Sequence, residues 1–360
     1  MSRETRSDGR GNRTLYAAAA LIVLTAPAML PAADGSGTGP AVVALRSGEF
    51  ARLEADLIAS GAATDELERM AAQLGATPRV AGTQGAERAA TMIAARMRSW
   101  GLRVTVHEYE VWLPHAREVS VEGVGRQPRA LAVAEIPLQQ DPYMDGEHYP
   151  VAAGYSAAGD VIAPLVYANY GRRHDFEKLG RAGVEVSGKI ALIRYGSIFR
   201  GDKVRNAEEA GAAAVILYSD PEDDGFRRGA VYPDGPFRPP GGVQRGPIKI
   251  GAPGDPASPG WPALPGGDRQ APVTGLPQIP VVALGYASAA ELMQDLAGAT
   301  VPLGWQGGLP MTYRYGVADG DSVRVRVELE DNPWRRIRNV VGTIEGAQVP
   351  GRVGDPRGPL

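Results

Sequence analysis

Between Lys189 and Asp220 the chain reads strand, tight loop, helix, strand, and this alternation restricts the fold more than any other stretch. KIALI (Lys189 to Ile193) is an apolar run of strand length, and Gly196 and Gly201 punctuate the loop after it. Asp202 is a candidate N-cap, and Val204, Ala207 and Gly211 recur at helical spacing. AVILY (Ala214 to Tyr218) is a second buried strand. Apolar strands joined by a helix imply an α/β layer, with the two strands parallel and the crossover right-handed.

A chain of 360 residues, 44% of them hydrophobic, has room for two domains with proper cores. The net charge of −3 gives no basic footprint, so no nucleic-acid partner is expected. The absence of cysteine excludes disulfides, thiol catalysis and cysteine-ligated zinc. At the N-terminus, Arg3, Arg6, Arg10 and Arg13 precede the apolar LYAAAALIVL (Leu15 to Leu24). Small residues follow, among them Ala28, Ala32 and Ala33. Residues 1–33 therefore read as a secretory signal peptide of an exported chain, secreted or periplasmic. An uncleaved N-terminal anchor is the other reading, and it alone would bring a membrane into play.

TDELERMAAQLG (Thr64 to Gly75) reads as a helix with Leu67, Met70, Ala71 and Leu74 on its apolar face. A loop at Pro78 to Gly82 leads to a second helix with Ala89, Ile93, Met97 and Trp100 on one face. LRVTVHEYEV (Leu102 to Val111) alternates like a strand, as does VRVRVELE (Val323 to Glu330), and RIRNVVGTIEG (Arg336 to Gly346) supplies another. GVEVSGKI (Gly183 to Ile190) imitates a phosphate loop. However, Ile190 stands where Ser or Thr is needed and a strand follows. The acidic group Asp220, Glu222, Asp223, Asp224 reads as a solvated turn.

Three wordy motifs in order, RYGSIFRGDKVRNAEEAGAAAVILYSDP, YPDGPFRPPGGVQRG (Tyr232 to Gly246) and GDPASPGWP (Gly254 to Pro262), resemble the protease-associated (PA) domain of the glutamate carboxypeptidase II group of zinc peptidases. The likeness runs from about residue 64 to about residue 347. It implies a mixed, β-rich α/β fold with the PA domain inserted into the start of an α/β zinc-peptidase domain. In that scheme residues 50–113 begin the peptidase domain, 114–320 form the PA domain, and 321–347 return to the edge of the catalytic sheet. The implied reaction is metal-assisted hydrolysis of terminal peptide bonds, with a peptide substrate, two zinc ions and a structural calcium. The helical domain through which relatives dimerise has no counterpart here, so their dimer is not carried over.

The family's first zinc ligand usually sits in a His-x-Asp pattern. None of His107, His115, His148 and His174 is followed by Asp two residues on, so no catalytic residue and no zinc ligand is assigned. Arg200, in IFRG, matches a PA-domain arginine that pairs with the substrate's terminal carboxylate, a task that suits the guanidinium fork. Stabilising its own loop is the other role open to it. QRG is followed by Pro247, where carboxypeptidase II carries an asparagine assisting the same carboxylate. Proline has no donor, so a broader specificity than glutamate alone is implied. Ser258 and the Trp261 carbonyl match positions that give oxygens to calcium, but they make half a site at most. An ordinary Pro/Gly loop is the simpler reading.

The expectation is therefore an exported family member cut short after its PA domain and inactive as given, needing no cofactor itself. The competing expectation is a non-catalytic stand-alone PA module that binds proteins or peptides. The tail, residues 348–360, has neither strand periodicity nor apolar content. Back-translated from Arg352 to Leu360 and read one base on, with third bases freely chosen, it yields Gly-Trp-Val-Ile-Leu-Gly-Asp-His, an apolar strand ending in His. A frameshift near codon 352 is the expectation this raises, chance among degenerate codons being the other reading. It fails if the genomic sequence does not run on in that frame to an Asp two residues later and a long open frame.

Overall fold

A run of apolar strands with no polar face can only sit inside a covered parallel sheet, and the middle of the chain obeys this. The computed structural model describes residues 64–344, apart from 127, 136–148, 252, 272 and 318–319, together with 51, 52, 55 and 56. The described residues of 64–344 make up one unit. The N-terminal segment 1–33, His148 and the tail 348–360 lie outside the described residues.

β5 (Leu165–Tyr167), β6 (Ile190–Arg194), β7 (Ala214–Tyr218) and β8 (Val281–Leu284) run parallel. β10 (Arg314–Val317) and β9 (Leu296–Thr300) extend the same sheet antiparallel, giving the order β8-β7-β6-β5-β10-β9. The expected pair is present, in register from Ile190 opposite Ala214 to Arg194 opposite Tyr218. All ten of these residues are buried. Around the sheet lie α3 (Arg173–Arg181), α4 (Arg200–Glu209), the short α5 (Pro221–Asp224) and α6 (Tyr286–Met293).

The crossover helix starts earlier than its sequence suggests. Phe199, not Asp202, is the N-cap. Asp202 falls in the first turn, where acids suit the helix dipole, and accepts from Arg205 at 2.7 Å. Gly201 permits this start, because a Cβ there would stand 2.5 Å from the Ile248 carbonyl oxygen. GVEVSGKI forms turns and then enters β6, with no helix facing a phosphate.

A second sheet of four strands has the order β3-β2-β11-β4. Its members are β2 (Ala116–Val124), β3 (Arg129–Ala130), β4 (Gly159–Ala163) and β11 (Ser322–Leu329). VRVRVELE, which its alternation marks as a strand, is an inner strand of this sheet. Val325 is opposite Val121 on one side and Val161 on the other, and Val323, Val325 and Val327 are buried. The alternation was legible, but the partners lie some 160 to 213 residues back along the chain. The outer face is charged, with Arg324 to Asp160 at 2.6 Å and Arg326 near Glu118 at 3.8 Å. One continuous core joins this sheet to the parallel one.

α1 (Thr64–Gly75) and α2 (Gln84–Ser99) precede a two-stranded ribbon. In it β1 (Arg103–Trp112) is antiparallel to β12 (Trp334–Thr343). Thr83 caps α2 by accepting from the Ala86 amide. Trp100 leaves the apolar face it was expected to share: it caps the helix and is half exposed beneath the Arg96 guanidinium. Among the described residues β12 pairs only with β1, and Val341 and Ile344 are exposed.

Candidate functional site

The loop leaving β6 gathers the side chains of interest at the carboxyl ends of the parallel strands. Gly196 (φ +95°) and Ser197 (φ +67°) turn the chain so that α4 opens at Arg200. Arg200 Nε donates to the Pro247 carbonyl at 2.9 Å, and the guanidinium lies 5.2 Å from the Phe199 ring. Among the described residues its Nη groups have no carboxylate partner.

The segment carrying Pro247 is itself tied down. The Gly154 amide donates to the Gly246 carbonyl at 3.1 Å, and the Ile248 amide donates to the Gly154 carbonyl at 3.0 Å. Tyr195 donates to the Gln244 carbonyl at 2.7 Å, and Ser219 Oγ to Gln244 Oε1 at 3.1 Å. Burial pushes the Tyr195 phenol up to about 12, against the pull of the Arg200 and Arg238 cations. It stays a neutral donor at physiological pH. Beside this segment runs a groove of about 720 Å³, bordered by Val80, His115, Tyr149, Gly154 and Pro247. Arg245 pairs with Glu135 there.

Behind the loop is a polar cluster that the sequence did not announce. Lys203 is fully buried, and its Nζ donates to the carbonyls of Gly196 (2.6 Å) and Tyr170 (2.7 Å). Burial lowers its pKa to about 7. Arg194 lies 3.9 Å from the centre of the Tyr170 ring, with Arg172 at 5.3 Å and Lys203 at 5.4 Å. Tyr170 donates to Asp223 at 2.8 Å. These contacts fix the Gly196 turn and so the start of α4. The available signal was helical phase: Lys203 shares the buried face of α4 with Val204 and Ala207.

Asp220 is a correction. It is fully buried and not part of a solvated turn. It accepts from the Tyr218 and Tyr313 hydroxyls (3.0 and 2.6 Å) and from the Glu222 and Gly308 amides (2.9 and 2.7 Å). A carboxylate with four donors needs no water.

Ser258 Oγ donates to Asp255 Oδ2 at 3.1 Å, and the Trp112 amide donates to Asp255 Oδ1 at 2.8 Å. The half-exposed Trp261 donates through its indole N–H to the Asp268 carbonyl. These bonds tie the Pro/Gly loop to the end of β1. His107 lies on β1, and His174 lies in the first turn of α3, 3.5 Å from Asp175. His115 is half-buried, and burial followed by Arg335 pulls its imidazole below the ordinary value. Among the described residues no three His, Cys, Asp or Glu side chains converge as metal ligands. The described residues therefore do not fit zinc.

Residues 161–250 match the PA domain model. Over 298 residues the chain is 37% identical to a glutamate carboxypeptidase 2 homolog of Caenorhabditis briggsae, covering 76% of this chain and 38% of that protein. Over 217 residues it is 38% identical to the aminopeptidase NAALADL1 of Rattus norvegicus, covering 56% of this chain and 28% of that one. Among solved structures, a zinc aminopeptidase from Bacillus subtilis is 20% identical, with a TM-score of 0.41, over 77% of this chain and 46% of that one. The chain thus spans about two fifths of the length of the glutamate carboxypeptidase 2 homolog it matches. With its PA domain and these relatives, it belongs to the glutamate carboxypeptidase II-like zinc peptidase family.

Proposed function

We propose that this chain forms the PA-domain wall of a zinc-dependent exopeptidase site and contributes the arginine that receives a peptide's terminal carboxylate. The observation that carries this reading is the state of Arg200. Its Nε is anchored on the Pro247 carbonyl, and no carboxylate occupies its remaining donors among the described residues. A guanidinium held by one edge keeps its fork pre-oriented for a bidentate carboxylate. Pro247 offers that ligand a fixed wall and no amide proton, which suits several terminal residues better than glutamate alone.

The described residues supply no ligand set for a metal, so no step of hydrolysis is assigned to them. By itself the chain is proposed to bind peptide carboxylates without cleaving them. The same reading takes it to be exported, on the strength of the Arg-rich and then apolar residues 1–33.

Titration of N-acetyl-dialanine and its amide against the full chain tests the reading. The acid binds in the millimolar range and the amide does not. Arg200→Ala weakens the acid about tenfold or more, as expected for a lost charge-assisted bond. Equal binding of acid and amide, or an unaffected Arg200→Ala chain, refutes it. Turnover of peptide amides that a chelator blocks would refute the claim that this chain does not cleave.

A second reading, a stand-alone module that binds proteins or peptides, is favoured by one observation: β11 is covered on both sides within the four-stranded sheet. A clean monomer with a single cooperative melt supports the module. Aggregation through the exposed β12 edge speaks against it.

A further inference from the structure

We propose that Gly246 is a positioning residue for Arg200, its missing side chain forming the seat on which the guanidinium lies. This rests on the carboxylate-binding reading of Arg200 and deepens it.

Glycine is usually demanded by backbone conformation, and at this position it is not. Gly246 is absent from the positive-φ residues, so its backbone is open to any L-residue. Its surroundings make the demand instead. The nearest neighbours of a Cβ built at 246 all belong to Arg200: Nε at 2.5 Å, with Cζ and Nη2 closer still. These are the three nearest atoms outside residues 245–247.

The seat cannot drift away from the arginine. The Gly246 carbonyl accepts from the Gly154 amide, and Gly154 bridges to Pro247 in parallel. The next carbonyl, that of Pro247, takes Arg200 Nε. One residue therefore supplies a bare surface for the flat group and its neighbour supplies the acceptor that fixes its rotation. Phe199 stands by the guanidinium at 5.2 Å. Among the described residues what remains uncommitted is the Nη edge, the edge a carboxylate would take.

Because the obstructed group is the far end of a long side chain, Gly246→Ala leaves the fold intact and displaces the guanidinium. The effect to read is therefore on Arg200 itself. In the full-length wild-type chain, ¹⁵N spectra of arginine Nε–H groups show Arg200 with a shifted signal and slow exchange, as its bond to Pro247 requires. In Gly246→Ala that signal moves to the position and exchange rate of a solvated arginine, while the melting temperature stays close to wild type. Affinity for N-acetyl-dialanine falls to the level of Arg200→Ala.

An Arg200 signal that keeps its wild-type shift and exchange in Gly246→Ala overturns the proposal. So does a displaced signal with undiminished affinity for the acid. Should the variant fail to fold, fast exchange of Arg200 Nε–H in the wild-type chain overturns it equally. If the signal moves in the variant but wild-type Arg200 never responds to the acid in preference to the amide, the seat stands and the carboxylate reading fails.

Discussion

Lys203 shows how much a single residue can hide. A lysine in RGDKVRN reads as solvent-facing, yet its amine is enclosed by two carbonyls and the Tyr170 ring. Its pKa falls from 10.5 to about 7 by burial, so the folded state holds its proton less tightly than the unfolded chain. Below about pH 7 both states carry the proton, and the folded state bears the full cost of burying it. Between pH 7 and 10.5 only the unfolded state stays protonated, so this residue makes stability rise with pH, by at most about 1.4 kcal/mol per pH unit. The stability difference between wild type and Lys203→Met, measured by urea unfolding from pH 6 to pH 9.5, should rise with pH in wild type's favour. A pH-independent difference would show that Lys203 titrates normally. Asp220 hides in the same way. Asp220→Ala strands two tyrosine hydroxyls and two amides, and should cost about 3 kcal/mol or more in the same assay.

At the scale of elements, local pattern and long-range placement part company. β6 and β7 were legible down to their pairing, because short, wholly apolar runs flanking a helix have few other ways to be buried. β11 was legible as a strand, since Val323, Val325 and Val327 alternate with Arg324 and Arg326, but not as a central one. Nothing local to 322–329 says that β2 and β4 will flank it. The start of α4 was misplaced for a similar reason, as the close approach of Gly201 to Ile248 is a tertiary fact. The wording of its motif singled out Arg200 as a candidate, but the acceptor on Pro247 and the closeness of Gly246 to the guanidinium had no local signal. Position within the sheets sets the expected costs. Val325→Asp places an unpaired charge in the core and should cost about 3–5 kcal/mol. Val341→Thr on the exposed face of β12 should stay within about 0.5 kcal/mol. Comparable midpoint shifts for the two in chemical denaturation would contradict the placement of β11.

For the whole molecule, the parallel sheet, the four-stranded sheet and the Arg200 loop stand or fall together, because one core runs through both sheets. The carboxyl ends of β6 and β7 carry the loop, and the Gly154 bridge carries its acceptor. On the proposed reading, a peptide carboxylate would meet a receptor whose geometry is set before it arrives, which spares the cost of ordering it on binding. The claim at the centre is that this single closed core, reaching from β5 to β11, holds Arg200 in place. Native-state hydrogen exchange tests it most directly. The amides of Val325 and Val327 in β11 should exchange only through the same global opening as those of Leu192 and Ile216 in β6 and β7. Exchange of the β11 amides through a separate, lower-energy opening while β6 and β7 stay protected would contradict it.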